Sequence, residues 1–175
     1  MDFLKKYYNF IFSPKNFPYG KEVKEIKIKN NKDSKTIVKK FRENKIDKYI
    51  KAIFFMEKLS NYDFIAKKVN RYDKKLELEQ IYCGKQLRIK NLPKDWKEQL
   101  IKIKKILIKE NIGFIDWGPW EVNPFIINNV CINNEKLYFI DFGDCIFDKP
   151  ENIEKYFNLQ IWYIEKLIEC NILFI

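Results

Sequence analysis

The chain has 175 residues, a formal net charge of +10, and 46% hydrophobic and 17% aromatic residues. This length allows one domain or two small lobes with a real apolar core. We expect a cytoplasmic protein, because no apolar run reaches the length of a membrane span and the charged N-terminus is unlike a signal peptide. The charge fits peripheral contact with anionic surfaces. Because the lysines are spread along the whole chain, nucleic acid is a less favoured partner.

The residue types available for chemistry are restricted, since the chain contains four cysteines and no histidine. Without histidine, Ser-His and Cys-His nucleophiles and metal sites built on two histidines are excluded. The cysteines form no CxxC pair, so we expect buried free thiols and not a zinc site. Carboxylates, lysines and amides remain, and these suit phosphoryl transfer, which depends on positioning and charge.

The first half of the chain predicts a small antiparallel sheet with one helix. Alternating apolar and charged residues indicate strands, and apolar residues at helical spacing indicate the helix. The aromatic-rich residues 1–19 are expected to pack in the core of this lobe. In chain order, the strands are predicted at 23–29, 36–41, 64–69 and 76–82, with the helix at 44–59 between the second and the third.

The second half predicts two helices around a short hairpin, after a break near Gly84. A helix is predicted at 93–110, with a left-handed cap supplied by Asn111 or Gly113. The hairpin strands are predicted at 125–127 and 137–140, and the last helix at 150–169. This order favours an α+β fold. We expect a β-rich first lobe at 1–88 that covers a nucleotide, and a largely helical second lobe at 89–175.

The most informative motif is an aspartate at a strand end. The apolar run 137–140 leads into Asp141, and Gly143 follows two residues later. Upstream, Asp116 lies in a loop that can face a cleft, and Asn123 precedes the partner strand. The hairpin can therefore bring Asn123 and Asp141 near one hard cation, which prefers such oxygen ligands.

These residues carry a resemblance to the protein-kinase-like superfamily in a minimal form, over about residues 20–165, nearest to the lipopolysaccharide-core sugar kinases. The resemblance implies ATP and Mg²⁺ as cofactors. It implies that Lys39 holds the nucleotide phosphates, that Asp116 receives the proton of an acceptor hydroxyl, and that Asp141 and Asn123 bind the metal. Glu79 and Ile81 fall in the segment that joins the lobes beside the adenine.

The sequence leaves two assignments of the resemblance open. Asn123 lies two residues beyond the family's spacing from Asp116, and strict spacing leads to Glu121, which is the alternative metal ligand. The helix acid that pairs with Lys39 is Glu57 by sequence distance, whereas Glu43 lies early. Gly20 is the only glycine before residue 84, so a glycine-rich phosphate loop is missing.

The leading hypothesis is a Mg²⁺-dependent phosphotransferase that moves the γ-phosphate of ATP to a hydroxyl of a small molecule, glycan or protein. The short second lobe favours a small molecule or glycan over a docked peptide. An inactive kinase-like interaction protein is the alternative, because the glycine loop and a clear Lys-Glu pair are missing. A basic nucleic-acid-binding module is a third and weaker hypothesis, and it predicts strongly salt-dependent binding.

Overall fold

The first lobe is an antiparallel sheet with a helix packed against it. Its elements are β1 (Val23–Asn30), β2 (Lys35–Phe41), α1 (Ile46–Lys58), β3 (Lys68–Tyr72) and β4 (Glu77–Ile81). The computed structural model describes residues 22–30, 34–120 and 123–172, so residues 1–19, for which core packing was expected, lie outside the described residues. The four strands have the spatial order β1-β2-β4-β3. Helix α1 packs on the sheet through an edge-on contact between Tyr49 and Phe41.

The expected hairpin and helix agree with β1, β2 and α1 to within two residues, but the strand expected at 64–69 is wrong. Strand β3 begins only at Lys68. The apolar residues Phe64, Ile65 and Ala66 are buried against the second lobe, where Ile65 pairs with Phe139 and the Ala66 N–H donates to the Phe139 carbonyl at 3.2 Å. Their hydrophobicity therefore reflects burial between the lobes and not a place in the first sheet.

The second lobe is built around one long strand. Its elements are β5 (Lys85–Arg88), α2 (Trp96–Lys109), β6 (Ile112–Gly113), β7 (Gly118–Trp120), β8 (Asn123–Asn133), β9 (Lys136–Phe139), β10 (Ile146–Phe147) and α3 (Pro150–Ile172). Strand β8 pairs with β5, β7 and β9, whereas β6 pairs with β10. Both expected helices lie within three residues of α2 and α3. The sequence did not indicate the short strands β5, β6, β7 and β10, because they contain only two to four residues each.

One apolar core connects the two lobes. Phe41 and Leu78 from the first sheet belong to the same buried cluster as Leu100, Phe139 and Phe157. The predicted two-lobed α+β class is confirmed, whereas the boundary at residue 88 stays a prediction. Within the described residues, no helix combines the length and the apolar character needed to cross a membrane.

Candidate active site

An ion pair between the lobes marks the candidate site. The ammonium Nζ of Lys39, on β2, lies 3.2 Å from Oδ2 of Asp141, which follows β9. The Lys39 side chain is only 7% exposed, and that of Asp141 is 28% exposed. The first lobe thus places a nearly buried cation on the carboxylate that the sequence singled out, and the expected proximity of these two residues is observed.

The backbone leaves regular strand geometry where Asp141 begins. Asp141 has a φ angle of 68° and Asn129 has one of 53°, both in the left-handed region that residues other than glycine rarely adopt. The Ile140 N–H donates to the Asn129 carbonyl at 3.0 Å, so Asn129 lies directly across from the strand end that carries Asp141. Such backbone conformations are concentrated at functional sites.

Asp116 lies in the same region and is held by two amide side chains. Nδ2 of Asn129 donates to the Asp116 carbonyl at 2.7 Å and to its carboxylate at 2.9 Å, and Nδ2 of Asn128 donates to the other carboxylate oxygen at 3.2 Å. Although the residue is exposed overall, desolvation of the carboxyl and the charges of Asp144 and Asp141 raise the pKa of Asp116. The carboxylate of Asp116 is therefore within electrostatic reach of those of Asp144 and Asp141.

Helix α3 fixes the backbone on both sides of Asp116. The hydroxyl of Tyr156 is placed to donate to the carbonyl oxygen of Ile115 and, at 3.0 Å, to that of Trp117. Burial raises the pKa of Tyr156 to about 12, so the hydroxyl remains a donor at neutral pH. Tyr156 therefore restrains the loop residue that the sequence predicts to be catalytic.

Apolar surfaces lie on both sides of Lys39. Side chains alternate between the faces of a strand, and the register pairs Ile26 with Lys39 and Ile28 with Ile37, so these isoleucines share the Lys39 face. That face is turned toward the second lobe, since Lys39 reaches Asp141. Within reach of the charge of Lys39, the buried thiols of Cys83 and Cys131 pack with Ala66, Tyr138 and Ile140.

The thiols of this cluster are neutral. Burial raises the pKa of Cys83 to about 12 and that of Cys131 to about 11, despite the opposing charge of Lys39. All four cysteines are free, as expected from the sequence, and three of them are buried. An uncharged, apolar surface beside a lysine is suited to a flat, apolar group that carries an anionic tail.

The hairpin formed by β7 and β8 separates the predicted metal ligand Asn123 from Asp116. Gly118 pairs with Asn128 at the base of the hairpin, whereas Trp120 pairs with Asn123 near its tip. The Asn123 side chain accepts the N–H of Phe125 at 3.2 Å. Glu121 lies outside the described residues. The structure therefore brings Asn128 and Asn129 to Asp116 and leaves Asn123 at the other end of the hairpin.

Sequence reasoning missed Asn128 and Asn129, although one signal was available. Two adjacent amides interrupt the apolar run between Phe125 and Ile132, where a buried strand offers amides few partners. The residues after Asp116 form the β7–β8 hairpin, so Asn128 and Asn129 do not lie at the family's spacing from Asp116. Counting from Asp116 therefore could not locate these two asparagines.

Three further predicted residues do not converge on Lys39. Glu57 forms an ion pair with Lys68 on the surface of α1. By register, Glu79 and Ile81 share the face of Val38 and Thr36, which is opposite to that of Lys39. Glu79 accepts the Thr36 hydroxyl at 2.7 Å, and this bond, with a weaker one from Lys29, lowers the pKa of Glu79. Their assignment to the nucleotide stays a prediction that the side-chain positions do not support.

A second charged group lies beside Asp141. Lys48 of α1 bonds Asp144, and its Nζ lies 3.5 Å from a carboxylate oxygen of Glu22. Burial opposes the charge of Lys48, but the bond and charge of Asp144, together with Glu22, outweigh it and raise the pKa of Lys48. Desolvation and the charge of Asp144 raise the pKa of Glu22.

The donor set at the strand end fits a hard cation. Among the described residues, no three side chains of His, Cys, Asp or Glu gather into a metal-binding group. Asp141, which follows β9, and Asn129, which lies on the neighbouring strand β8, nevertheless each offer a side-chain oxygen, since only the nitrogen of the Asn129 amide is used by Asp116. Mg²⁺ is commonly bound by one or two carboxylates together with substrate phosphates and water, so a sparse protein ligand set is sufficient.

Comparison with solved structures identifies the fold. The chain is similar to the Rio2 kinase of Chaetomium thermophilum in its ADP/Mg²⁺–phosphoaspartate complex, with a TM-score of 0.58 and 18% sequence identity over 87% of this chain. The match covers 53% of that kinase, so the chain spans about half its length. No protein-family model and no curated protein matches the sequence.

This likeness shows that the chain has a protein-kinase-like fold. The order of sheet strands, the helix after the lysine strand and the hairpin ahead of Asp141 all agree with the predicted class. Nothing in these comparisons supports the narrower resemblance to lipopolysaccharide-core sugar kinases.

Proposed function

We propose that the chain is a Mg²⁺-dependent phosphotransferase that moves the γ-phosphate of ATP to a hydroxyl group. The observation that carries the proposal is the 3.2 Å contact between Lys39 and Asp141 across the lobes. It brings together a cation for phosphate oxygens and a carboxylate for a metal, as phosphoryl transfer requires. The similarity of the fold to Rio2 kinase, whose complex contains ADP and Mg²⁺, also supports the proposal.

In this proposal the apolar surfaces beside Lys39 hold the base of the nucleotide. Ile28 and Ile37 would cover one side, and Cys131 with Ile140 the other. Lys39 would bind the phosphates, and Asp141 with Asn129 would hold Mg²⁺, which supplies positive charge to the phosphate oxygens. We prefer Asn129 to Asn123 and Glu121 because its side-chain amide bonds Asp116 and its backbone carbonyl accepts the N–H of Ile140, the residue before Asp141.

Asp116 would orient the acceptor and take its proton. The acceptor oxygen forms a bond to the γ-phosphorus, the bond from that phosphorus to the bridging oxygen breaks, and ADP leaves with the electron pair. The hydroxyl proton passes to Asp116, whose raised pKa favours proton uptake. Tyr156 and Asn129 hold the carboxylate in place by bonding the backbone around it. The acceptor is a small molecule, a glycan or a protein.

Calorimetry on the full chain tests this function. We expect ATP to bind only with Mg²⁺, and Lys39→Met to weaken binding about tenfold or more, since a hydrogen bond to a charged group contributes about 1.5–3 kcal/mol. Lys40→Met is the matched control, because Lys40 points to the opposite face and pairs with Glu77. Asp141→Asn should abolish transfer of labelled phosphate.

An inactive interaction protein remains the second candidate, for one reason. The two acids of α1 are Asp47, which is exposed, and Glu57, which pairs with Lys68, so neither pairs with Lys39 among the described contacts. Thermal-shift measurements separate the candidates. Stabilisation by ATP that requires Mg²⁺ supports the enzyme, whereas no stabilisation by ATP with or without Mg²⁺ supports the inactive protein and contradicts the proposed function.

A further inference from the structure

The first turn of α1 contacts the segment that follows Asp141. Lys48 bonds the carboxylate of Asp144, and its side chain is only 19% exposed. The same ammonium group lies 3.5 Å from Glu22, so it is placed between two carboxylates. A half-buried cation between two anions is restrained more strongly than a lysine on an open surface.

Gly143 lies against the start of α1. A Cβ atom on Gly143 would lie 3.3 Å from a carboxylate oxygen of Glu22, 3.4 Å from the Lys48 carbonyl oxygen and 3.5 Å from the Lys48 Cβ. The backbone of α1 therefore rests directly on the segment. On either side, Phe142 and Cys145 are buried, and the Cys145 N–H donates to the Phe142 carbonyl at 3.2 Å.

Asp141 and Asp144 are thus the two polar anchors of one short turn. Asp141 contacts Lys39 of the sheet, and Asp144 contacts Lys48 of the helix. Helix α1 offers no acid to Lys39 among its described contacts, so the link between this helix and the candidate metal ligand runs through Lys48 and the turn. In the contact between Lys48 and Asp144 the helix supplies the cation and the loop supplies the anion. This is the reverse of the expected pairing, in which the helix would supply an acid to Lys39.

We propose that Lys48 is a positioning residue: by bonding Asp144 it holds the turn 141–145 against α1 and thereby sets the position of Asp141. A displacement of α1 then displaces Asp141. The coupling itself is a property of the fold, whereas its consequence for Mg²⁺ rests on the proposed function. In this role Lys48 acts through Asp144 and not by contact with the nucleotide or the metal.

Hydrogen–deuterium exchange on the full chain without nucleotide tests the coupling. We expect Lys48→Met and Asp144→Asn each to accelerate exchange of residues 141–147 about tenfold, as loss of a charged hydrogen bond implies. Lys51→Met, one turn further on the same helix at an exposed position, should leave it unchanged. The double variant Lys48→Met/Asp144→Asn should exchange no faster than either single variant, and Lys48→Arg should restore slow exchange.

A titration with Mg²⁺ at fixed ATP tests the consequence. The concentration of Mg²⁺ needed for half-maximal ATP binding should rise about tenfold in Lys48→Met and stay unchanged in Lys51→Met. If Lys48→Met exchanges like Lys51→Met, the coupling is overturned. If the turn loosens but the Mg²⁺ requirement is unchanged, the claim about Asp141 is overturned. If the wild type binds no Mg-ATP, the proposed function fails, and exchange alone decides the coupling.

Discussion

At the scale of single residues, Asp116 carries its charge in an unfavourable place. Desolvation and the neighbouring carboxylates Asp144 and Asp141 raise its pKa above the ordinary value of 3.8. Between the unfolded-state and the folded-state pKa of Asp116, the native state binds more protons than the unfolded state. The free energy of unfolding therefore falls as pH rises through this range. We therefore expect Asp116→Asn to abolish transfer yet increase the free energy of unfolding at pH 7, as measured by urea denaturation.

The pH dependence provides the control for this expectation. The gain in stability should vanish below about pH 3.8, where Asp116 is protonated in both states. Asp63→Asn should have the opposite sign, because the hydrogen bond from Lys136 lowers the pKa of Asp63 and stabilises its charged form. If Asp116→Asn is less stable than the wild type at pH 7, the carboxylate is held by its asparagine donors more strongly than it is repelled.

Tyr156 is a second residue whose role can be separated from stability. Its hydroxyl contacts the carbonyl oxygens on both sides of Asp116, so Tyr156→Phe should release the loop and reduce kcat about tenfold while KM for ATP stays unchanged. Tyr62→Phe is the matched control, because it removes a hydroxyl that bonds Glu110, far along the chain from Asp116. Tyr156→Phe should lose about 1 kcal/mol of stability, and a kcat equal to that of Tyr62→Phe would contradict the positioning role.

At the scale of elements, the spacing of apolar residues was sufficient to predict a helix or strand wherever that spacing matches the face that the element buries. The helices α1, α2 and α3 and the β1–β2 hairpin agree with apolar spacing in the sequence. The segment Phe64–Ala66 was predicted wrongly as part of a strand. Three consecutive apolar residues are equally consistent with a strand and with a segment buried between the lobes. Asp141 and Lys39 could be predicted as a pair, since a strand end and a strand lysine are visible locally.

The asparagine that we propose as a metal ligand could not be located by counting from Asp116, because its position depends on the pairing of distant residues. Gly118 pairs with Asn128, and this register determines which amide reaches Asp116. Nothing in the residues between Asp116 and Asn123 reveals that a hairpin forms there. The contact of Lys48 with Asp144 is equally invisible in the sequence, since a helix lysine gives no sign of its partner.

Gly118, at the base of the β7–β8 hairpin, tests whether the backbone conformation there requires glycine. Its φ angle is 120°, and a Cβ there would lie 2.0 Å from Oε1 of Gln160 on α3. We expect Gly118→Ala to cost about 1–3 kcal/mol in urea denaturation, because an L-residue is strained in this conformation. Adding Gln160→Ala should recover only the steric part, since the backbone strain remains. Full recovery would show that the φ angle is not the constraint.

At the scale of the whole molecule, the lobes share one core, so they should unfold together. The N–H of Phe139 donates to the Phe64 carbonyl at 2.8 Å, and the Phe139 side chain is fully buried against rings from the second lobe. We expect a single transition in urea, with tryptophan fluorescence and far-ultraviolet circular dichroism giving the same midpoint. All four tryptophans lie after residue 95, so fluorescence reports on the second lobe.

Phe139→Ala makes this expectation quantitative. Removing a fully buried aromatic ring should cost about 3–5 kcal/mol in the free energy of unfolding. When hydrogen exchange is followed across the urea transition, the urea midpoint should fall equally for the amides of β2 and those of α2. Leu159→Ala, at an exposed position of α3, should leave both midpoints in place. If the α2 amides lose protection at lower urea than the β2 amides, the lobes are separate cooperative units, and the contact between Lys39 and Asp141 would have to be maintained without help from the core.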